Sequence, residues 1–226
     1  MALNRSHGNM YDWISHTWNP IKGCRHGCLY CYLKSLETQY GYDLSSPRFV
    51  ETDLRKNLGN GKVIFVGSAS DMWGKWVSSE SIGRVLDHCR EFDNSYVFQS
   101  KNPARFLEFL GRFPKNALLG TTIETDRYLK KITGAPDIPN RVEAMKRIEG
   151  RKFVSIEPIL QFDLERLMRM ILEIGPSFVS IGADSKSHGL LEPEGKEVRE
   201  LIKRLNKFTE VKVKKNLSRF LKDISR

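Results

Sequence analysis

The chain has 226 residues, enough for a full hydrophobic core, and its 40% hydrophobic and 28% charged residues exclude a disordered or fibrous protein. Its apolar runs are far shorter than the ~20 residues of a membrane span, and its first residues lack a secretory signal, so we expect a cytoplasmic protein without a membrane partner. The net charge of +10 would attract polyanions such as nucleic acid, and a basic surface that only keeps the protein soluble is the alternative.

The first predicted strand is the segment DWISHTWN, residues 12–19, and three cysteines follow it within eight positions. Cys24, Cys28 and Cys31 have the spacing C-x3-C-x2-C, and the overlapping segment LYCYLKSLETQY predicts the first helix. In a reducing compartment, clustered thiols bind metal more often than they form disulfides. We therefore predict a metal centre in the loop after the first strand.

Five further pairs of a strand and a helix follow the cysteine segment. Each strand is a short apolar run, and each helix has its apolar residues on one face. The strand segments are KVIFVGSAS, SYVFQS, ALLGTTIE, KFVSIEPIL and SFVSIGADS. The helical segments are SSESIGRVLDHCREF, NPARFLEFLGRF, PNRVEAMKRIEG, DLERLMRMILEIG and EGKEVRELIKRLNKF. Cys89 lies on the apolar face of the first of these helices, where we expect a small buried side chain and not a metal ligand.

Strands that alternate with one-sided helices indicate an α/β fold with a parallel sheet and right-handed crossovers. Six pairs are too few for a closed eight-fold barrel, which leaves a partial barrel or a doubly wound sheet. The segment VKVKKN, residues 211–216, could add an edge strand whose lysines discourage edge pairing. No linker divides the chain, so we predict one domain over residues 1–226 that ends in a basic segment at about 207–226.

The loops at the carboxyl ends of parallel strands build the site in such folds. The residues that we expect to converge there are Cys24, Ser68, Ser70, Asp71, Lys101, Glu124, Glu157 and Asp184. Glu124 and Glu157 have an alternative, because each could be a loop carboxylate that pairs with a nearby lysine or arginine. The four tryptophans could stack on a base near this mouth or pack in the core.

Three thiolates without a fourth cysteine nearby restrict the choice of metal. A structural zinc site is closed by four ligands, so zinc would need His16 or His26 as well. A 4Fe-4S cube held by three thiolates instead leaves one iron free to coordinate a small molecule. The residues alone do not decide between a zinc site and a 4Fe-4S cluster.

The cysteine spacing, its place after the first strand, Tyr30 just before the last cysteine and the six strand and helix pairs resemble the radical S-adenosylmethionine superfamily. More narrowly, successive blocks of the chain resemble a phage- and prokaryote-associated branch of it whose members are mostly uncharacterised. These blocks are TWNPIKGCRHGCLYCY, VGSASDMW, FQSKNPARF, GTTIE, SIEPIL and IGADS. The resemblance implies a partial (β/α)6 TIM-like barrel of parallel strands with outer helices.

The resemblance also implies the cofactors. Cys24, Cys28 and Cys31 would ligate a 4Fe-4S cluster, with Tyr30 beside it, and the free iron would bind the amino and carboxylate groups of S-adenosylmethionine. An electron from an external donor then cleaves this molecule to a 5'-deoxyadenosyl radical, which abstracts hydrogen from a substrate that the resemblance does not identify.

Other residues are expected to line the S-adenosylmethionine site. The Gly-Gly-Glu that often follows the second strand in the superfamily is replaced here by VGSASD, which leaves its contact with the methionine amino group to Ser68, Ser70 or Asp71. The remaining lining residues expected by position are Thr122, Glu124, Glu157 and Asp184.

These patterns support two hypotheses about function. The first is a radical enzyme, whose substrate could be a nucleic acid or nucleotide because the chain is basic. The alternative is a basic nucleic-acid-binding module in which the cysteine cluster holds a structural zinc. About one zinc per chain without sulfide would identify the module.

Overall fold

The structure is a computed structural model that describes residues 3–7, 10–41 and 43–222. Within these residues, eight strands form one sheet and two short strands form a second. The strands are β1 (Asn4–Arg5), β2 (His16–Trp18), β3 (Ile21–Lys22), β4 (Arg48–Phe49), β5 (Val63–Val66), β6 (Ser95–Ser100), β7 (Ala117–Thr122), β8 (Lys152–Ile156), β9 (Phe178–Ile181) and β10 (Glu210–Val213). The α-helices are α1 (Leu33–Tyr40), α2 (Ser79–Arg90), α3 (Ile138–Lys146), α4 (Leu164–Ile174), α5 (Gly195–Leu205) and α6 (Ser218–Leu221).

The large sheet has the order β1-β2-β5-β6-β7-β8-β9-β10, and every neighbouring pair from β2 to β10 is parallel. Strand order therefore follows chain order without the reversal that defines a doubly wound sheet. This confirms the α/β class and the partial (β/α)6 TIM-like barrel. The predicted edge strand is also present, as β10.

Two strand pairings and one helix type differ from the prediction. β1 pairs antiparallel with β2, and β3 pairs with β4, but strands of two residues are too short to show an alternating pattern. The segment predicted as the third helix forms a 3-10 helix over Pro103–Arg112. Its buried residues recur every third position, at Pro103, Phe106 and Phe109, which suits a helix with three residues per turn.

Aromatic side chains fill the amino-terminal end of the barrel interior. The residues of this inner cluster are Tyr11, Ile14, Phe65, Val97, Leu118, Phe153 and Phe178. Phe153 stacks on Phe178 at 5.2 Å between ring centroids, and Tyr11 meets Phe153 edge to face at 5.8 Å. Gly120 is required here, because a Cβ at this position would overlap the Phe153 ring.

The same strands become polar towards their carboxyl ends. Side chains on one face of a strand recur every second residue, so each inner apolar residue is followed two positions later by a small or polar one. These following residues are Gly67, Gln99, Gly120, Ser155 and Ser180. The barrel interior is therefore closed at its amino-terminal end by the apolar inner cluster, which we call the aromatic floor. Towards the carboxyl ends of the strands, the small or polar side chains leave room for a site.

The larger core lies between the sheet and the helices. Cys89 is fully buried on the inner face of α2, as predicted, beside Val85 and Leu86. No helix in the described part of the chain is long and apolar enough to span a membrane. Of the basic segment predicted at about 207–226, residues 223–226 lie outside the described residues.

Candidate active site at the carboxyl ends of the strands

A cavity of about 520 Å³ opens at the carboxyl ends of the parallel strands, within the range of roughly 300–1,000 Å³ that small-molecule sites occupy. It brings together all but one of the residues that the sequence nominates for the site. Those that line it are Cys24, Cys28, Cys31, Tyr30, Ser68, Ser70, Asp71, Lys101, Thr122, Glu157 and Asp184. The exception is Glu124, which lies behind the cavity wall.

The cysteine loop, residues 23–31, is fixed at its start by Gly23. This residue has φ +89°, and a Cβ on it would lie 2.9 Å from the Cα of Pro47, so only glycine fits without strain. The backbone N–H of Gly23 donates to the carbonyl of Ala69 at 3.0 Å. The backbone N–H of Cys24 donates to the carbonyl of Leu44 at 2.7 Å. The first cysteine is thus positioned by the backbone.

The middle of the cysteine loop is held by the connection between β7 and α3. Gly134 donates its backbone N–H to the carbonyl of His26 at 2.7 Å. The Cys28 thiol lies 3.0 Å from the Thr133 hydroxyl, and either group could be the donor. Because the start and the middle of the loop have partners elsewhere in the fold, the three cysteines are presented to the cavity as a unit.

The thiols lie in a setting that disfavours bare thiolates. Cys28 is buried, and Cys24 and Cys31 are half-buried. Burial, with a smaller contribution from Asp71, raises the pKa of Cys24 to about 12, and burial also raises the pKa of Cys31. A bound metal would have to displace the thiol protons and supply the missing positive charge. No three histidine, cysteine or acidic side chains of the described residues are grouped to hold a single metal ion.

Asp71 links the cysteine loop to the barrel. Its carboxylate accepts hydrogen bonds from His26 Nε2 at 2.8 Å, from the Ser100 hydroxyl at 2.8 Å and from the backbone N–H groups of Lys101 at 2.9 Å and Trp73 at 3.1 Å. Burial alone would raise the pKa of Asp71, but these donors, His26 first, lower it below its ordinary value. Both oxygens are therefore occupied, and Asp71 positions the loop.

Replacing Asp71 with asparagine should loosen the cysteine loop, because the amide NH2 group would face another donor. The loss of about 1–3 kcal/mol expected for an unsatisfied buried donor would raise alkylation of Cys28 by iodoacetamide in the metal-free protein roughly 5- to 150-fold. Mass spectrometry of the Cys28 peptide measures the rate. Asp163→Asn is the matched control, since asparagine caps a helix as well as aspartate does. Unchanged labelling in Asp71→Asn would refute this positioning role.

Glu124 is fully buried and accepts hydrogen bonds from three side chains. Tyr30 donates its hydroxyl, Lys101 its ammonium at 2.8 Å, and Arg141 its guanidinium at 2.9 Å. Burial would raise the pKa of Glu124, but Lys101 and Arg141 lower it to about 2. Glu124 thus forms the ion pair with lysine and arginine that was its alternative interpretation and reaches the cavity through Tyr30 and Lys101, and its contact with a cofactor stays a prediction.

The candidates for the contact with a methionine amino group differ in the atoms that they leave free. The Ser68 hydroxyl donates to Asn19 Oδ1 at 3.1 Å, and Asp71 is occupied as described. The Ser70 hydroxyl is buried in the cavity wall and has no hydrogen-bond partner among the described residues. Ser70 is therefore the candidate with a polar atom available to a ligand.

The opposite wall of the cavity carries a charged pair. Glu157 accepts a hydrogen bond from Lys214 Nζ at 2.6 Å and another from Asn216 at 3.1 Å. The Lys214 ammonium also lies 4.9 Å from the centroid of the Tyr11 ring. The structure thus places Glu157 at the cavity and pairs it with lysine, its alternative interpretation, and its contact with a cofactor stays a prediction.

Asp184 organises the turn that follows β9. Its carboxylate accepts from the backbone N–H of His188 at 2.6 Å and lies 2.6 Å from His188 Nδ1. Burial would raise the pKa of Asp184, but the contacts with His188 lower it. The turn includes Ser187 at φ +53°, an uncommon backbone conformation outside glycine, and the His188 ring lines the cavity.

Several lining residues were not foreseen, namely Tyr11, Gln99, Ser155, His188 and Lys214. Gln99 and Ser155 could have been found from the strand alternation, since each follows an inner apolar residue by two positions. His188 and Lys214 carry no such signal. The tryptophans, by contrast, do not line the described cavity: Trp18 and Trp73 are core residues, and Trp76 packs edge-on against His26 at 4.8 Å.

Comparison with known proteins identifies a family and a fold. A family model described as "Protein of unknown function (DUF5131)" matches residues 9–185. No curated protein sequence matches. A point mutant of spore photoproduct lyase has a TM-score of 0.68 at 14% identity, over 93% of this chain and 78% of that one.

Two further solved structures have the same fold. One is a double mutant of spore photoproduct lyase with bound AdoMet and dinucleoside spore photoproduct, at TM-score 0.61 and 14% identity. The other is spore photoproduct lyase complexed with dinucleoside spore photoproduct, at TM-score 0.60 and 16% identity. Each match covers 91% of this chain and 64% of the other, so the chain spans about two thirds of their length.

Proposed function

This chain belongs to the DUF5131 family, and from its fold and its cavity we propose that it is a radical S-adenosylmethionine enzyme. The observation that carries the proposal is the presentation of Cys24, Cys28 and Cys31 on one anchored loop at the mouth of a partial (β/α)6 barrel. The fold shared with spore photoproduct lyase, one structure of which holds AdoMet, supports it.

The donor set fits a 4Fe-4S cluster better than a zinc ion. Ligands of one zinc converge on a single atom, whereas a cube distributes its thiolates over several irons, and no group of described side chains converges on one ion. His26 Nε2 contacts Asp71, while its Nδ1 is buried without a hydrogen-bond partner among the described residues, and His16 lies on β2, where its Nδ1 contacts Ser15. A zinc module would need His26 Nδ1 as its fourth ligand, and the described side chains are not grouped around one ion in that way.

In this proposal the protein positions the cofactors and excludes water. Cys24, Cys28 and Cys31 would hold the cluster, and the Ser70 hydroxyl, which has no partner among the described residues, would be available to the amino group of S-adenosylmethionine. When bound, these cofactors supply the 5'-deoxyadenosyl radical that abstracts hydrogen from substrate. The Glu124 network fixes Tyr30 and Lys101 at the cavity wall, and the aromatic floor closes the barrel to solvent.

The polar wall formed by Thr122, Glu157, Asp184 and His188 is left for the nucleoside part of the cofactor and for the substrate. A nucleic acid or nucleotide is the substrate class that we favour, supported by the charge of +10 and by the dinucleoside bound in one spore photoproduct lyase structure. An external electron donor completes the reaction. Membership of the phage- and prokaryote-associated branch, the single domain over residues 1–226 and the cytoplasmic location stay predictions.

Metal analysis and spectroscopy of the anaerobic protein test this proposal. Reconstitution with iron and sulfide should give about four of each per chain, the content of a 4Fe-4S cluster. Adding S-adenosylmethionine should then change the electron paramagnetic resonance spectrum of the reduced cluster, because the ligand binds the iron that no cysteine holds. About one zinc without sulfide would instead identify the nucleic-acid-binding module. A full cluster whose spectrum ignores S-adenosylmethionine would refute the enzyme.

A further inference from the structure

Exposed cations and one exposed aromatic ring lie together on the connection between β7 and α3, residues 126–134, which we call the rim loop. Arg127, Lys130 and Lys131 are exposed, and Tyr128 is 77% exposed. Among the described residues, these three cations have no carboxylate partner, and Tyr128 has no hydrogen bond or ring contact.

The rim loop borders the cavity, because it packs on the cysteine loop. The backbone N–H of Leu29 donates to the carbonyl of Ile132 at 2.9 Å, in addition to the contacts of Thr133 and Gly134 already described. Arg25, in the cysteine loop itself, is also exposed and adds a fourth cation beside this surface. The segment that carries the charges therefore packs against the loop that carries the three cysteines.

The one acidic residue of the rim loop, Asp126, forms no ion pair with its three cations and is outnumbered by them. Asp126 accepts a hydrogen bond from the backbone N–H of Asp163 at 2.8 Å, at the start of α4. Its carboxylate therefore already has a partner in another element. The loop keeps a net positive charge as well as its exposed ring.

The basic C-terminal segment, in contrast, has much of its charge paired. Lys212 contacts Glu210, Lys214 contacts Glu157, and Arg219 contacts Glu192. The residues that give the sequence its most evident positive run are thus partly neutralised within the fold. To Lys186, an exposed lysine that lines the cavity, the rim loop adds three cations without a carboxylate partner in the described part of the chain.

We propose that the rim loop binds single-stranded nucleic acid and guides one nucleotide into the cavity. Arg127, Lys130 and Lys131 would contact phosphates, and Tyr128 would stack on a base, the combination that single-strand binding surfaces use. A nucleotide must leave a duplex before a base can enter an enclosed site, so a single strand is the natural ligand. The delivery step rests on the proposed function, but the binding step does not.

Fluorescence anisotropy with a labelled single-stranded 20-mer of mixed sequence tests this surface on the reconstituted full chain. Tyr128→Ala should weaken binding roughly 5- to 150-fold, the usual effect of losing one stacked base, whereas Tyr128→Phe should stay within about twofold because it keeps the ring. The triple variant Arg127→Glu/Lys130→Glu/Lys131→Glu should reduce the slope of log Kd against log salt by about 2.

A similar set of residues at the other end of the barrel provides the matched control. Phe208 is 64% exposed, and Lys203 and Lys207 are exposed near it, before the amino end of β10. Phe208→Ala and Lys203→Glu/Lys207→Glu should leave binding unchanged. Equal losses in the rim and control variants, absence of oligonucleotide binding at low salt, or equal competition by polyglutamate would overturn the inference.

The test of the rim loop can be distinguished from the test of the proposed enzyme function. The rim variants should keep the iron content of the parent protein, because their side chains are exposed and outside the cavity lining. Binding through the rim loop by a protein that assembles no iron-sulfur cluster would support this surface while refuting the enzyme. Reductive cleavage of S-adenosylmethionine by a protein that ignores the oligonucleotide would refute the surface alone.

Discussion

Replacing Glu124 with alanine should destabilise the protein by about 3–5 kcal/mol, the usual cost of removing one partner from a buried ion pair. The change leaves Arg141, which is only 1% exposed, without its carboxylate partner, and it removes the acceptor for Tyr30 and Lys101. Urea denaturation followed by circular dichroism measures the free energy of unfolding. Arg141→Met combined with Glu124→Ala should cost less than the sum of the two single changes, because the buried charge is then absent.

Glu165→Ala is the matched control, since Glu165 also pairs with an arginine, Arg204, but on the surface. It should change the free energy of unfolding far less than Glu124→Ala. The pKa of Glu124, about 2 against an ordinary 4.5, adds a pH test. Between these two pKa values the unfolded chain binds more protons than the folded one, so stability rises with pH. The contribution of Glu124 to the free energy of unfolding, on the order of 3 kcal/mol, is therefore complete above about pH 5 and is lost as pH falls towards 2. Equal stability of the two alanine variants would contradict the account.

Replacing Cys31 with alanine should prevent stable assembly of the iron-sulfur cluster. Loss of an outer-sphere partner commonly costs ~10–100-fold in metal affinity or activity, and loss of a ligand should cost more. Because Cys31 is half-buried at the cavity and not part of the core, the fold should survive. Iron and sulfide content after anaerobic reconstitution and desalting measures the effect.

Cys89→Ala is the control for this experiment, since it also removes one thiol. Cys89 is fully buried in the core on α2, so its loss should lower stability but leave the iron and sulfide content intact. Should the Cys89 variant lose the cluster and the Cys31 variant keep it, the assignment of the ligands would be wrong.

The fold was predictable because its signals are local and repeated. Short apolar runs marked the parallel strands, an apolar period of 3.6 residues marked the helices, and the sixfold alternation distinguished an open barrel from a closed one. The pattern could not show β1 or the pairing of β3 with β4, since two residues define no period. Nor did it separate an α-helix from the 3-10 helix over Pro103–Arg112, because apolar spacings of three and four residues overlap.

The site was predictable only as far as strand topology determines it. A residue at the carboxyl end of a parallel strand reaches the mouth, and this rule placed Ser70, Asp71 and Glu157 at the cavity. Whether such a carboxylate is free depends on distant partners. Arg141 on α3 draws Glu124 into the interior, and His26 occupies Asp71 across the fold. Pairings of this kind have no local sequence signature, which is also why Lys214 could be mistaken for a solvated surface residue.

The central claim is tested most directly by identifying the product that the anaerobically reconstituted and reduced protein forms from S-adenosylmethionine. If Cys24, Cys28 and Cys31 present a cluster with one open iron to the cavity, chromatography should detect 5'-deoxyadenosine, and the Cys31→Ala variant should form none above the protein-free background. A protein that carries a complete, reducible cluster and yields no 5'-deoxyadenosine, even with single-stranded oligonucleotides supplied, would contradict the account.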